Sequence, residues 1–144
     1  MIRKAEGTAS PNGYRYLFGS RYNKEKLLDS YVDHPRILFP YTDKTGKQIK
    51  TSAAGAYQIT RTTWDALRKK IDLPSFSPDN QDKAAIQLIK ETGALPLIEG
   101  GKLEAALAKV RKIWASLPAS GNNQPERSLA DVKKWYLDAG GTIA

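Results

Sequence analysis

The chain has no cysteine in its 144 residues. That removes disulfides, thiolate nucleophiles and Cys-based metal sites together. There is one histidine, His34, so a multi-His metal site is excluded. A Ser-His-Asp mechanism would have to use His34, which no nucleophile motif accompanies. No apolar run is long enough to span a membrane. The opening residues, Met1-Ile2-Arg3-Lys4-Ala5-Glu6, lack the apolar stretch of a signal peptide, so export would need another route. There is no internal repeat, low-complexity tract or interdomain linker. The chemistry most plainly left open is that of carboxylates.

What is present reads as one soluble, globular domain with enough length for a real core. Hydrophobic residues make up 40% and charged residues 26%. The net charge is +8. It is uneven: the first fifty residues carry ten Lys/Arg against five Asp/Glu, while residues 51–100 balance six against six. Such a charge steers anionic partners, whether nucleic acid, anionic lipid or an anionic wall, and does not choose among them.

The two halves differ in pattern. Residues 1–6 read as the end of a helix stopping near Gly7, and residues 7–13 as a turn-rich loop. Tyr14, Tyr16 and Phe18 alternate with Arg15 and Leu17, which predicts a short strand. Asp43-Lys44-Thr45-Gly46 predicts a turn, and Gln48-Ile49-Lys50 a second strand. From Thr60 onward the signals are helical. Thr60 or Thr62 caps a helix with Trp64, Leu67 and Ile71 on one face. Ser77-Pro78 opens a helix that buries Ala85, Ile86 and Ile89 and stops near Gly93. A short helix is expected around Leu95–Ile98. Leu103, Leu107, Val110 and Trp114 mark another. Ser128 with Asp131 begins the last one, lined by Leu129, Val132, Trp135 and Tyr136, with Gly140-Gly141 ending it. Trp64, Leu67, Ile86, Ile89, Leu107, Val110, Trp114 and Trp135 are expected to supply much of the core.

Glu6 is the first candidate for chemistry. A carboxyl at a helix C-terminus feels the negative end of the dipole, and apolar cover would raise its pKa further, as a general acid requires. Read from Glu6-Gly7-Thr8 alone, an ordinary surface glutamate is the stronger reading. Ser52-Ala53-Ala54-Gly55-Ala56-Tyr57-Gln58 adds weight. Its small residues admit a bulky ligand near the backbone. Gln58 offers a donor and an acceptor suited to sugars, and Tyr57 a flat face. The alternative there is a tight turn before a helix, with Tyr57 in the core. Tyr14, Tyr16, Phe18, Tyr22, Tyr31 and Tyr41 interleave with basic residues, which suits a saccharide cleft and equally single-stranded nucleic acid. Asp29, Asp33 and Asp43 have no spacing that demands pairing with Glu6. His34, in Asp33-His34-Pro35-Arg36, reads better as a hydrogen-bonded structural histidine than as a site residue.

In combination these stretches resemble a known family. Glu6-Gly7-Thr8, Asp33-His34-Pro35-Arg36, Gly55-Ala56-Tyr57-Gln58, Trp64-Asp65-Ala66, Phe76-Ser77-Pro78 with Gln81-Asp82, Gly93-Ala94-Leu95-Pro96, Ile113 to Pro118, and Ala139-Gly140-Gly141-Thr142 occur in order over nearly the whole chain. The chain resembles the lambda-phage-type endolysins, which are lytic transglycosylases of lysozyme-like fold. The resemblance implies an α+β, mainly α fold. A β-rich lobe, about 14–59, and a helical lobe, about 60–141, would flank a cleft within one catalytic domain, 1–144. It implies cleavage of the β-1,4 bond between N-acetylmuramic acid and N-acetylglucosamine in peptidoglycan. Glu6 falls on the catalytic position, and Ser52, Gly55, Tyr57, Gln58 and Asn122 are expected to bind the glycan. Asn122 stands in a polar loop where the family commonly has a tyrosine. The family also has a full helix before its catalytic glutamate, whereas five residues precede Glu6 here. No metal or organic cofactor is implied. The expected partner is the glycan strand of the wall, met as a monomer without nucleic acid or membrane insertion, after release through a holin-like pore. A hydrolytic muramidase on the same fold and a non-catalytic glycan- or nucleic-acid-binding module are the competing readings.

Overall fold

The computed structural model describes residues 1–20, 26–43, 45–118 and 127–144. Among them are six α-helices and one two-stranded sheet. Helix α1 (Ile2–Glu6) ends because Gly7 turns left-handed, with φ 77°, a conformation glycine adopts without a Cβ clash. The Gly7 and Thr8 amides then return to the Lys4 and Arg3 carbonyls at 3.2 and 2.8 Å, the double closure of a Schellman cap. Ala5 is fully buried and fastens this short helix to the core.

The β region is small, and its sheet pairs the strand expected near Gln48 with one from Phe39 that was not expected. β1 (Phe39–Thr42) and β2 (Gln48–Thr51) pair antiparallel, with Phe39 opposite Thr51 and Tyr41 opposite Ile49. The Asp43 carboxylate closes the hairpin by accepting the Thr45 and Lys47 amides at 2.8 and 3.0 Å. The strand expected from Tyr14 to Phe18 is not formed. Gly13–Arg15 is a 3-10 turn, and only Tyr16 and Leu17 extend, each making one bridge, to Leu27 and Ala54. The cause is the loop before it. Gly13 is packed so tightly against Thr8 that a Cβ there would stand 1.8 Å from the Thr8 carbonyl oxygen. The chain therefore turns around the end of α1 before it can extend.

The helical half follows its local signals closely. Thr60 caps α2 (Arg61–Arg68) by accepting the Thr63 amide. Ser77 caps α3 (Pro78–Glu91), with Pro78 at the first helical position. α4 (Leu95–Glu99) and α5 (Leu103–Val110) pack on each other. α6 (Leu129–Asp138) starts at Ser128, which accepts the Asp131 amide at 3.1 Å. Two details differ from expectation. α3 buries Gln81, Ala84, Ala85 and Leu88, spaced i, i+3, i+4 and i+7, so Ile86 falls outside that stripe and is 50% exposed. α5 stops at Val110, and Trp114 follows in a run of turns, still buried.

Trp64, Leu67, Phe76, Leu117 and Val132 are the large fully buried apolar side chains. Trp64 and Phe76 meet edge to face at 4.8 Å and 80°, a favoured aromatic geometry. Ala5, Ala54, Ala84 and Ala94 are equally buried and belong to the same core. Ile89 and Trp135 pack on this core while partly exposed.

Candidate active site

The end of α1, the turn over residues 54–59 and the segment Ile113–Ser116 enclose a cleft of about 230 Å³. Glu6 reaches it from the last residue of α1, half-buried. The Ser116 hydroxyl donates to its Oε1 at 2.5 Å. Glu6 is the carboxylate that the described lining presents to this space. Tyr16, Phe18 and Tyr41 supply aromatic walls, with Phe18 and Tyr41 in contact at 5.1 Å between ring centres.

The turn that faces Glu6 is held at every position. Ala54 and Ile59 exchange amide hydrogen bonds at 3.1 and 3.0 Å. Gly55 sits at φ 80°, and its amide donates to the Tyr16 carbonyl at 2.7 Å. Gln58 is left-handed at φ 50°, a sparsely populated state for a residue with a side chain. Its side-chain Nε2 steadies that state by donating to the Gly55 carbonyl at 2.9 Å. Gln58 lines the cleft.

A polar network braces the far side of the turn. His34 is 2% exposed. Its Nε2–H donates to the Ile59 carbonyl at 2.8 Å, and its Nδ1 accepts the Arg36 amide at 3.0 Å. That pair of partners requires the neutral ring with the proton on Nε2. Burial pushes the His34 pKa below its ordinary value. Arg36 continues the network as a fork on Asp65, at 2.5 and 2.8 Å, and also reaches Asp33. Hydrogen bonding to Arg36 holds the Asp65 carboxyl below the usual carboxylate range. The stretches 33–36 and 64–66 are thus joined in space, in a structural role.

The family model described as Endolysin matches residues 1–143. The endolysin of Escherichia phage lambda is 39% identical, over 99% of this chain and 89% of that protein. The endolysin of Escherichia phage P2 is 38% identical, over 100% of this chain and 91% of its own length. The chain belongs to the endolysin family. A solved structure of bacteriophage lambda lysozyme complexed with a chitohexasaccharide agrees in fold, with a TM-score of 0.86 at 38% identity, covering 99% of this chain and 91% of that one. A second structure of lambda lysozyme gives a TM-score of 0.81 at 36% identity. The mainly α, lysozyme-like α+β architecture is therefore that of its relatives, and membership places the chain among peptidoglycan-degrading glycosidases.

Within this endolysin fold the expected site residues part company. Glu6 and Gln58 share the cleft. The Tyr57 side chain does not line it. Its hydroxyl donates to Asp82 at 2.8 Å, beside the Tyr14 hydroxyl, which donates to the same oxygen at 2.9 Å. Burial, then the hydrogen bond to Asp82, pushes the Tyr57 pKa far up, so the phenol stays protonated and donating. Ser52 is buried, and its hydroxyl accepts the Arg61 amide at 2.9 Å, serving the start of α2. Gly55 is approached by the protein itself: a Cβ there would lie 2.3 Å from Gln81 Oε1. Asn122 lies outside the described residues.

Ser116, Thr8 and Trp114 were not singled out from the sequence as site residues, yet all line the cleft. Ser116 and Trp114 lie in the stretch Ile113 to Pro118, and Thr8 in Glu6-Gly7-Thr8, so the resemblance pointed at their segments without assigning roles. Their partners are 110, 48 and 57 residues away in sequence, beyond any local pattern.

Proposed function

We propose that this chain is a lytic transglycosylase. It cleaves the β-1,4 bond between N-acetylmuramic acid and N-acetylglucosamine in peptidoglycan, working as a single catalytic domain, 1–144, on the cell wall reached through a holin-like pore. One observation carries the reading: Glu6, gripped by Ser116 at 2.5 Å, shares a cleft with Gln58 and a set of aromatic walls. The complex of lambda lysozyme with a chitohexasaccharide supports a glycan as the occupant.

Glu6, protonated, donates to the glycosidic oxygen as the bond to the anomeric carbon breaks. The carboxylate it becomes then takes the proton of the muramic C6 hydroxyl, whose oxygen attacks that same carbon. A 1,6-anhydro sugar forms, no water is consumed, and Glu6 is protonated again for the next cycle. Hydrolytic glycosidases generally need two carboxylates. One suffices here, and one is what the described residues offer to the cleft. Gln58 serves substrate binding: its amide nitrogen is tied to the backbone, which orients its oxygen for a sugar hydroxyl or N-acetyl N–H.

Glu6→Gln should keep the fold, by circular dichroism, and lose wall lysis by at least about a hundredfold, the lower range for a removed general acid. Lysis at the parent rate would end the assignment of Glu6. Mass spectrometry of muropeptides then fixes the reaction. Anhydro ends, one water lighter than reducing ends, are expected, and reducing ends alone would make the enzyme a hydrolytic muramidase.

A further inference from the structure

We propose that Gln81, on α3 and outside the cleft, is a positioning residue that sets the geometry of Glu6. This rests on the reading of Glu6 and Gln58 above. Gln81 is 1% exposed. Its Oε1 accepts the Ala56 amide at 2.9 Å, and its Nε2 donates to the carbonyls of Tyr14 at 3.0 Å and Phe76 at 2.8 Å. Both amide hydrogens and the oxygen are engaged, so the side chain has one workable orientation. Burying such an amide without those partners would be costly.

What makes the grip functional is where the Ala56–Tyr57 backbone leads. The Ala56 carbonyl accepts the Thr8 hydroxyl at 2.5 Å, and Thr8 lies two residues after Glu6. The next carbonyl, of Tyr57, accepts Trp114 Nε1 at 2.9 Å, and Trp114 lies two residues before Ser116, which holds Glu6. Two successive carbonyls of the turn therefore reach the two segments that place the Glu6 carboxyl. The neighbouring Asp82 reinforces the hold by accepting the Tyr57 and Tyr14 hydroxyls. Gln81 thus fixes the turn, the turn spaces Thr8 from Trp114, and that spacing aligns Glu6, Ser116 and Gln58. A reacting group misplaced by about 1 Å can cost on the order of a hundredfold in rate, so a residue that touches no substrate can still govern catalysis.

The test uses Gln81→Met, close in volume and without the amide. Initial rates of muropeptide release from purified peptidoglycan are measured over a range of concentrations, at a temperature where the far-ultraviolet spectrum shows the variant folded. The inference expects kcat to fall tenfold or more while KM changes less than threefold. It also expects the loss to shrink to threefold or less when Ser116→Ala is already present, because the contact being aligned is gone. Parent-like kcat, a loss explained by the unfolded fraction alone, or the same factor in both backgrounds would overturn it. Where Gln81→Met has no cooperative melt, Gln81→Glu takes its place with the same readings, since its carboxyl, kept neutral by burial among carbonyls, still accepts from Ala56 but has one hydrogen to donate where Gln81 donates to both Tyr14 and Phe76. Glu6→Gln is run alongside. If it keeps activity, the reading of the site fails. If it loses activity while Gln81→Met does not, only the role of Gln81 fails.

Discussion

Replacing Gly55 with alanine separates two reasons for a glycine in this turn. If the position is small so that a ligand can come close, Gly55→Ala harms binding and leaves stability nearly intact. The structure gives the other reason, because the neighbour is protein. The added Cβ would lie 2.3 Å from Gln81 Oε1 and 2.9 Å from the ring of Phe76. Backbone strain at φ +80° adds about 1–2 kcal/mol for an L-residue. Overpacking a tight site costs roughly 1–3 kcal/mol. If Gln81 retreats, the Ala56 amide loses its partner, at about 1–3 kcal/mol. Together these give roughly 3–8 kcal/mol, a large share of the ~5–15 kcal/mol that holds a typical domain. At about 3 °C per kcal/mol for a chain of this size, Tm should fall by roughly 9–24 °C. Gly46 provides the control: its φ is +82°, and nothing lies within 4 Å of its would-be Cβ, so Gly46→Ala carries the strain alone and should lose about 3–6 °C. Thermal melts by circular dichroism compare the two. A Gly55→Ala midpoint within about 3 °C of Gly46→Ala would refute the clash with Gln81 as the reason for the glycine.

Ser116→Ala should leave the melt almost unchanged and lower the rate of muropeptide release about tenfold, the equivalent of ~1.4 kcal/mol. An unchanged rate would show that the short contact to Glu6 does not serve catalysis. His34 makes stability depend on pH. Its folded pKa is depressed by burial, so the unfolded chain binds the proton more readily, and stability is lost as pH falls through the unfolded value of about 6.5. The Met1 amine, also lowered by burial, acts in the same sense from about pH 8 downward, while the depressed Asp65 carboxyl next to Arg36 acts only below the ordinary aspartate value of 3.8. Urea melts between pH 8 and 5 should therefore show a fall whose lower part is absent in His34→Gln. An equal fall in both proteins would mean that His34 is not its source.

The helical half was legible because its signals are local. Thr60, Ser77-Pro78 and Ser128 with Asp131 each satisfy a backbone amide within three residues, and those caps fix where helices begin whatever surrounds them. The β region was legible in part: the turn at Asp43 and the strand from Gln48 form as their local signals indicate, while the rest depends on determinants elsewhere in the chain. Phe39-Pro40-Tyr41-Thr42 hides its strand behind a proline, tolerated because a two-stranded sheet consists of edges. Tyr14 to Phe18 alternates like a strand, but its path is dictated by the contact of Gly13 with Thr8. Ile86 illustrates a subtler failure. Hydropathy assigns it to the core, yet the buried face of α3 is the stripe Gln81, Ala84, Ala85 and Leu88, which includes a polar residue and leaves Ile86 to one side.

The same contrast governs the site. Glu6 and Gln58 were readable because each stands in a short stretch shared with a family, and the structure does bring both to one cleft. Tyr57 stands in the same stretch and goes the other way. In a four-residue turn closed by the Ala54–Ile59 pair, neighbouring side chains leave on opposite sides. Once the left-handed Gln58 faces the cleft, Tyr57 is directed to Asp82. A stretch shared with a family therefore does not distinguish the residue whose side chain lines the cleft from the residue whose side chain turns into the protein. Only the partners do, and these come from α3 and from the segment at 114–116. The short helix that ends in Glu6 is, for the same reason, less isolated than its five residues suggest. Its last carboxyl is held by Ser116, the Ala5 carbonyl accepts from Arg127 at 3.2 Å, and the Arg127 amide donates to the Ser116 carbonyl at 2.8 Å. The support behind Glu6 is thus tertiary, supplied by Ser116 and Arg127 rather than by helix length, and losing either side chain should disturb Glu6 as surely as damage to α1.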